Sequence, residues 1–535
     1  MRIPSKQAVV AKVFKSVKAA CTRQNAFALL LSGLLSACAQ LPEQVEVEPT
    51  VAVTAADSGP LYQTARSVNG RFEEPNAAML VSSAKEAMEL RLAMIDSATV
   101  SLDAQYFVWS GDSSGNLLLD RFLQAADRGV RVRILVDDLY LLSNSSMSGP
   151  DVVLAAIDSH PNIELKVFNP GQYRSGTMGI AGNFAGYFKD FNRRMHNKLF
   201  IADGQLALLG GRNLADEYYG LKSEYNFLDI DALVTGASIR DMKSAFDLYW
   251  NAERAYPAAG ISPDTGAEEL TQLREELETL LAADAEKLAS YPLEVKDWSE
   301  YLATLPDRMH GIEATFLQDD PSVEGDETYR LVDMLAEFDT AEDQEVVIVT
   351  PYLIPLEGAI EELKESTDAG LKVTLLTASL ASGDHTAVNA HYKKYRHALL
   401  EAGAELYEFH HQPGTELRAQ ADTDPVRGEF VALHPKASVT DRKTCFVGSL
   451  NLDPRAMVLN TENGLVIESE AFCSELDDLI QLYLQPENSW HVTLDENGDL
   501  QWTSYEGTVH KQPARSASQR MSDFFFRIMP IEKLL

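Results

Sequence analysis

The chain has 535 residues, of which 45% are hydrophobic and 24% charged, a composition that supports a large folded core and excludes a disordered or fibrous protein. Its 80 acidic residues outweigh 46 basic ones, for a formal charge of −34. A body this acidic repels polyanions, which argues against a general nucleic-acid binder but not against one anionic group held at a single site.

The chain opens with Arg2, Lys6, Lys12, Lys15, Lys18 and Arg23, followed by a mostly apolar run from Ala26 to Leu35. That run is far shorter than the roughly 20 residues a helix needs to cross a bilayer, and it reads as an export signal. Leu35-Ser36-Ala37-Cys38 then resembles the lipobox of bacterial lipoproteins, in which the signal is cut before the Cys and the Cys is acylated. The expectation is a signal peptide over 1–37, lipidation at Cys38, and a periplasm-facing protein anchored to the bacterial cell envelope by two or more acyl chains. Ala39 in place of Asp after the Cys leans towards the outer membrane. Residues 38–60, rich in Pro, Glu, Val and Ala without periodicity, read as a flexible tether.

Ala98 to Phe107 alternates as a strand, Asn116 to Arg128 has helical spacing stopped by Gly129, and Val130 to Val136 is the next strand. A similar unit recurs with Glu345 to Thr350, Leu356 to Asp368, Gly370 and Leu371 to Thr377. Strand-helix-strand units imply parallel pairing, so the chain is expected to be an α/β protein of two related lobes, 61–256 and 321–485. Between them, the linker 257–320 contains an acidic helical run, Glu268 to Leu288, with Leu270, Leu273, Leu277, Leu280 and Leu281 on one face. It is expected to be a solvated helix bridging the lobes. The tail 486–535 has a hairpin signal at Asn497-Gly498 and an apolar cluster of Phe524, Phe525, Phe526, Ile528, Met529, Leu534 and Leu535. Cys445 and Cys473 are expected to be buried free thiols, although an export compartment permits a disulfide.

Each lobe ends in the same constellation. The first reads His196-Asn-Lys198, then Asp203, Gly210-Gly211 and Asn213; the second reads His434-Pro-Lys436, then Asp441, Gly448-Ser449 and Asn451, at identical spacing. In a strand, His and Lys two apart share a face, and Asp203-Gly204 predicts a two-residue hairpin turn. Counting from that turn puts Gly211 opposite His196 and Asn213 on the His/Lys face, and likewise Ser449 opposite His434 with Asn451 beside it. Asp203 and Asp441 fall at the far end of each hairpin and read as support residues, outside the site.

A His, a Lys and an Asn from each lobe suit displacement at a phosphodiester. The lysines and the Asn213 and Asn451 amides, with Ser449, would hold the phosphate oxygens. One His would attack phosphorus and the other would protonate the leaving oxygen. Each needs a carboxylate behind Nδ1, and Glu462 and Asp229 are placed to return from the next strand. Metal binding is disfavoured: each motif supplies one ligand beside an ammonium group, and no zinc-type spacing is present, so no metal and no cofactor are expected.

These residues resemble the phospholipase D superfamily, whose His-x-Lys-x4-Asp-x6-Gly-Ser-x-Asn motif the second copy follows throughout and the first follows except at Gly211. Thr350-Pro-Tyr-Leu-Ile-Pro355, Tyr395-Arg396, Asn451-Leu-Asp-Pro-Arg455 and Asn460-Thr-Glu462 are similar to its bacterial cardiolipin synthase C type. The resemblance implies two pseudo-symmetric lobes, each a mixed β-sheet flanked by helices, with the active site at their interface. It also implies a phosphohistidine intermediate, with His196 as nucleophile and His434 as acid, and transfer of a phosphatidyl group to phosphatidylglycerol or to water. The partners implied are phospholipids, phosphatidylglycerol first and phosphatidylethanolamine as a candidate second lipid, and no nucleic acid. The alternative is a hydrolytic phospholipase D, followed by a nuclease and a non-catalytic envelope lipoprotein. Gly211 departs from the family's usual Ser, and a lipobox is not part of its pattern.

Overall fold

The computed structural model describes residues 48–140, 150–171, 192–262, 265–322, 330–340 and 342–535, so the expected signal, Cys38 and most of the tether lie outside the described residues. In the first lobe the strands are β1 (Asn76–Val81), β2 (Ser101–Val108), β3 (Arg131–Tyr140), β4 (Ile163–Phe168), β5 (Leu199–Ala202), β6 (Leu206–Gly210), β7 (Tyr225–Leu228), β8 (Asp231–Gly236) and β9 (Ala255–Pro257). In the second they are β10 (His310–Gln318), β11 (Glu345–Val349), β12 (Lys372–Ala378), β13 (Glu405–Phe409), β14 (Phe430–Leu433), β15 (Ala437–Thr440), β16 (Thr444–Gly448), β17 (Asn463–Glu468), β18 (Ser489–Leu494), β19 (Leu500–Ser504) and β20 (Gly507–Val509).

Both strand-helix-strand units form as parallel pairs, β2 with β3 across the helix Ser113–Asp127 and β11 with β12 across Ala359–Asp368. Asp112 caps the first helix by accepting from the Gly115 N–H. Past the helix ends, Gly129 (φ +94°) and Gly370 (φ +102°) take the left-handed turn that directs the chain into the next strand. The first sheet runs β1-β8-β6-β5-β2-β3-β4-β9, parallel only across β2-β3-β4. The second repeats it as β10-β17-β16-β15-β11-β12-β13-β18, with β19 and β20 continuing that edge. The second sheet therefore begins inside the stretch expected as linker and runs on into the expected tail.

Sheet pairing and a shared core both join the lobes. β1 pairs with β10, Ala77 beside Gly311, which makes one continuous sheet. A single apolar cluster combines Leu199, Ile230 and Val234 with Val347, Leu376, Val447 and Leu465, and takes in Phe246 and Trp250 from the helix Ile239–Trp250 and Leu476 and Ile480 from Glu470–Leu484. The acidic helix is Ala267–Ala283, and it does not bridge the lobes: Leu270, Leu273, Leu277 and Leu281 are buried, and it packs on the first-lobe helices Ser113–Asp127 and Pro150–Asp158. A leucine every three or four residues is a buried stripe, and the acidic residues around it are its solvent face.

Cys445 and Cys473 are not free thiols. They form a disulfide that ties β16 to the helix Glu470–Leu484, with Cα atoms 5.6 Å apart. Strand and helix bring the two together over 28 residues of separation, a proximity that spacing does not reveal.

Candidate active site

Both hairpins form, one residue out of the expected register. Leu199 pairs with Leu209 and Ala202 with Leu206, so Asp203-Gly204-Gln205 is a three-residue loop; Ala437 pairs with Val447 and Thr440 with Thr444 around Asp441-Arg442-Lys443. Asp203 and Gly204 both take left-handed φ, +53° and +61°, as do Asp441 and Arg442, at +50° and +57°. The ladders end at Leu199 and Ala437, so Gly211 and Ser449 are not strand partners of His196 and His434. The loop is shaped by its acid: Asp203 accepts from the backbone N–H groups of Thr99, Val100 and Ser101 and from the Thr99 hydroxyl, at 2.7 to 3.1 Å. Asp441 accepts likewise from the Gln344 and Glu345 N–H groups. Both sit behind the start of a neighbouring strand, away from the histidines.

Parallel backbone pairing between lobes sets the histidines. β7 lies beside β14 with Leu228 level with Leu433, so the next residues, Asp229 and His434, come together; the His434 N–H donates to Leu228 O at 2.9 Å. Met195 is level with Thr461 in the same way, which brings His196 beside Glu462, and the His196 N–H donates to Thr461 O at 2.9 Å. His434 Nδ1 is then 2.6 Å from Asp229 Oδ2, and His196 Nδ1 is 2.8 Å from Glu462 Oε2. Each lobe's histidine thus takes its carboxylate from the other lobe.

The remaining predicted residues gather around these pairs. Lys198 Nζ donates to His196 O at 2.5 Å, and Lys436 Nζ to His434 O at 2.6 Å while lying about 3 Å from the His434 ring nitrogens. Ser449 Oγ donates to Glu462 Oε2 at 2.5 Å and accepts from the Asn463 N–H. Asn213 accepts from the Val108 N–H and donates one amide proton to the Tyr218 hydroxyl, whereas the Asn451 Oδ1 is buried without a hydrogen-bond partner among the described residues. A Cβ at Gly211 would lie 2.1 Å from Asp229 Oδ1, so the absent side chain gives that carboxylate its place.

Aromatic rings wall the site. Phe107 stands edge-on to His196, Tyr218 edge-on to His434, and Phe227 tilts over His434 at 4.5 Å. The sequence gives no pattern for these rings, nor for Asp384, whose charge acts on His434. They reach the site from separate elements; Phe227, two residues before Asp229, and Arg455, at the end of the Asn451-Leu-Asp-Pro-Arg455 stretch and acting on His196, have positions in the chain that signal them.

Burial governs the electrostatics. It pushes the His196 imidazole well below its ordinary range, and Lys198, Lys436, His434 and Arg455 push the same way. Burial and Lys436 lower His434 to about 4 against the pull of Asp229. Lys198 falls to about 7 and Lys436 to about 8, both through burial. The two carboxyls diverge. Burial lifts Glu462 well above the carboxylate range, while for Asp229 the same burial is outweighed by His434, Lys436 and Arg212, which hold it below. The arrangement offers two imidazoles, two lysine amines and two amides around one space, which is the equipment for binding and displacing at a phosphodiester.

The family described as cardiolipin synthase, PLD-like domain, matches twice, over residues 92–250 and 334–482. The chain is 32% identical over 464 residues to cardiolipin synthase C of Escherichia coli K12, covering 84% of this chain and 94% of that protein. It is 23% identical over 412 residues to a cardiolipin synthase of Clostridium perfringens, 77% of this chain and 71% of that one. In fold it is similar to the crystal structure of phosphatidylserine synthase from Haemophilus influenzae, with a TM-score of 0.56 at 14% identity over 88% of this chain and 100% of that one. The duplicated sheets, the repeated His/Lys motifs and these matches together place the chain in the cardiolipin synthase, PLD-like domain family, as an enzyme of the phospholipase D type.

Proposed function

We infer that the chain is a phosphatidyltransferase that forms cardiolipin from phosphatidylglycerol and a second phospholipid through a phosphohistidine. The observation that carries this reading is the crossed pairing, His196 with Glu462 and His434 with Asp229, which makes one complete site from two lobes. Neutral His196 attacks phosphorus through Nε2 while its Nδ1–H stays on Glu462. The bond to the leaving glycerol oxygen breaks, and His434 Nε2 delivers the proton to it. In the second half, the acceptor lipid's hydroxyl gives its proton to His434 and attacks phosphorus, and the phosphorus–nitrogen bond breaks to free His196. The divergence of the carboxyls supports this order. An ionised Asp229 sustains the imidazolium that an acid requires, whereas Glu462, raised by burial, leaves His196 neutral and nucleophilic. Lys198, Lys436 and the Asn213 and Asn451 amides meet the phosphate charge, and that charge in turn offsets the lysines and lets His434 gain its proton.

Incubation of the pure protein with labelled phosphatidylglycerol, with and without phosphatidylethanolamine, tests the reading. Cardiolipin is the expected product, and a rapid denaturing quench at neutral to mildly alkaline pH, where the phosphorus–nitrogen bond survives, should trap the phosphatidyl group on the peptide containing His196. Phosphatidic acid as the sole product would make the enzyme a hydrolase, and no lipid turnover would remove the reading altogether.

Attachment to the envelope through Cys38 is part of the same proposal, supported by the lipobox pattern and by a disulfide suited to an export compartment. Cys38→Ser should leave the protein unprocessed or soluble. Equal membrane retention of both forms after high-salt washing, with the signal still cleaved, would overturn it.

A further inference from the structure

The last helix, Ala517–Ile528, begins at a Ser516 cap that accepts from the Gln519 N–H. At about 1.5 Å per residue it is roughly 18 Å long, too short to cross a hydrocarbon core of about 30 Å. Gln519 and Asp523 turn inward: Gln519 Nε2 donates to Leu380 O at 2.6 Å, and Asp523 pairs with Lys393. At about 100° per residue, Met521, Phe524, Phe525 and Ile528 fall on the opposite face. Those four are 60%, 52%, 53% and 66% exposed. Scattered single apolar residues on a surface need no explanation, but four large ones sharing a helix face do.

The charges on this segment are sorted. Between Lys511 and the chain end, the acidic residues are Asp523 and Glu532, and both are paired against the body, with Lys393 and with His391 and Lys394. Arg520 and Arg527 are exposed along one flank of the apolar face, and Arg527 leans over the Phe524 ring. The outward charge here is therefore positive, in a chain whose formal charge is −34.

Both ends of the segment are fastened beside the site. Arg515 binds the Ala381 carbonyl, close to Asp384, whose charge acts on His434. At the other end Leu535 O accepts from the Arg455 N–H at 2.8 Å, and Arg455 acts on His196.

We propose that this helix is an interfacial element, which seats Met521, Phe524, Phe525 and Ile528 at the headgroup boundary of an anionic bilayer with Arg520 and Arg527 on lipid phosphates, and so brings the site to its substrate. The proposal rests on the phospholipid reading above. An in-plane helix with an apolar face and flanking arginines has the geometry for this, and the sign of its charge matches anionic lipid where the rest of the body does not.

The test uses the full-length protein, vesicles of phosphatidylglycerol, and a soluble phosphodiester, bis(p-nitrophenyl) phosphate, that needs no bilayer. Phe524→Ser, Phe525→Ser and Ile528→Ser combined should lower turnover of vesicle lipid about tenfold or more, with a parent-like melting temperature and soluble-diester rate. Separately, Phe525→Trp fluorescence should be quenched by vesicles of brominated phosphatidylglycerol. Unchanged vesicle turnover in the triple variant, or an unquenched Trp, would overturn the proposal. So would conversion of a dimer to a monomer by the triple variant in sedimentation velocity, which would make the face a contact between copies. If the parent turns over no phospholipid, the functional reading fails, and the quenching still decides whether the helix enters the bilayer.

Discussion

Asp229 Oδ1 lies 2.1 Å from where a Cβ at Gly211 would stand, whereas Ser449 keeps its side chain and donates to Glu462 at 2.5 Å. Glu462 is one methylene longer than Asp229, so residues 211 and 229, like 449 and 462, are matched in size. Gly211→Ser should drive Asp229 off His434 and lower kcat/KM about a hundredfold, the scale of an ångström's misplacement. Adding Asp229→Glu should recover part of the loss; a parent-like rate for Gly211→Ser alone would refute the match. The pH dependence also belongs to single residues. A lowered imidazole pKa requires more acid for protonation, so the acidic limb of kcat/KM, set by protonation of the nucleophile His196, should lie below pH 6.5. A lowered ammonium pKa means earlier proton loss, so the alkaline limb should fall at about 7, where Lys198 becomes neutral, and not near 10. Lys198→Arg should move that limb to about 8, where Lys436 titrates, and an alkaline limb that stays in place would exclude Lys198 as its source.

The elements that present these residues are stabilised from behind. Asp203 is fully buried and anchors three successive backbone N–H groups, while Asp441 is less buried and has fewer partners. Asp203→Asn turns amide protons towards those donors and should cost about 2 to 3 kcal/mol in denaturant unfolding, with Asp441→Asn nearer 1 kcal/mol. The folded Asp203→Asn protein should turn over close to the parent rate; if it melts like the parent and is inactive, the loop does not serve as support. The disulfide acts on the element beside it. Cys445→Ser with Cys473→Ser should lower stability by about 3 kcal/mol and abolish the sensitivity of the melting temperature to reductant.

At the scale of the molecule, duplication alone does not make a site. Each lobe holds a His, a Lys and an Asn, but neither holds the carboxylate its own histidine uses, so a separated lobe would carry an unsupported imidazole. The sheet joined through β1 and β10, the mixed apolar cluster and the paired β7 and β14 hold the lobes at the one separation where both crossed pairs close. The acidic surface, the disulfide and the positive last helix belong to one arrangement in the functional reading: a body kept off anionic lipid except where its site must meet it.

Much of this follows from the chain itself. Periodicity and stops at Gly129 and Gly370 define the parallel units, because burial on a sheet face and left-handed turns are local requirements. The repeated His-x-Lys motifs mark the chemistry, and Glu462 and Asp229 are recognisable as its carboxylates. Which carboxylate serves which histidine is not legible, since that depends on backbone pairing between segments some 200 or more residues apart. The hairpin register is lost for a similar reason: Asp203 bonds to the start of β2, and that contact selects a three-residue loop where the Asp-Gly pair alone predicts two. The acidic helix packs on one lobe, and the two cysteines meet, for reasons that lie in distant partners. Local conformational preference is written residue by residue, whereas contact between distant segments is decided by the packing of the whole, and there the tertiary structure chose.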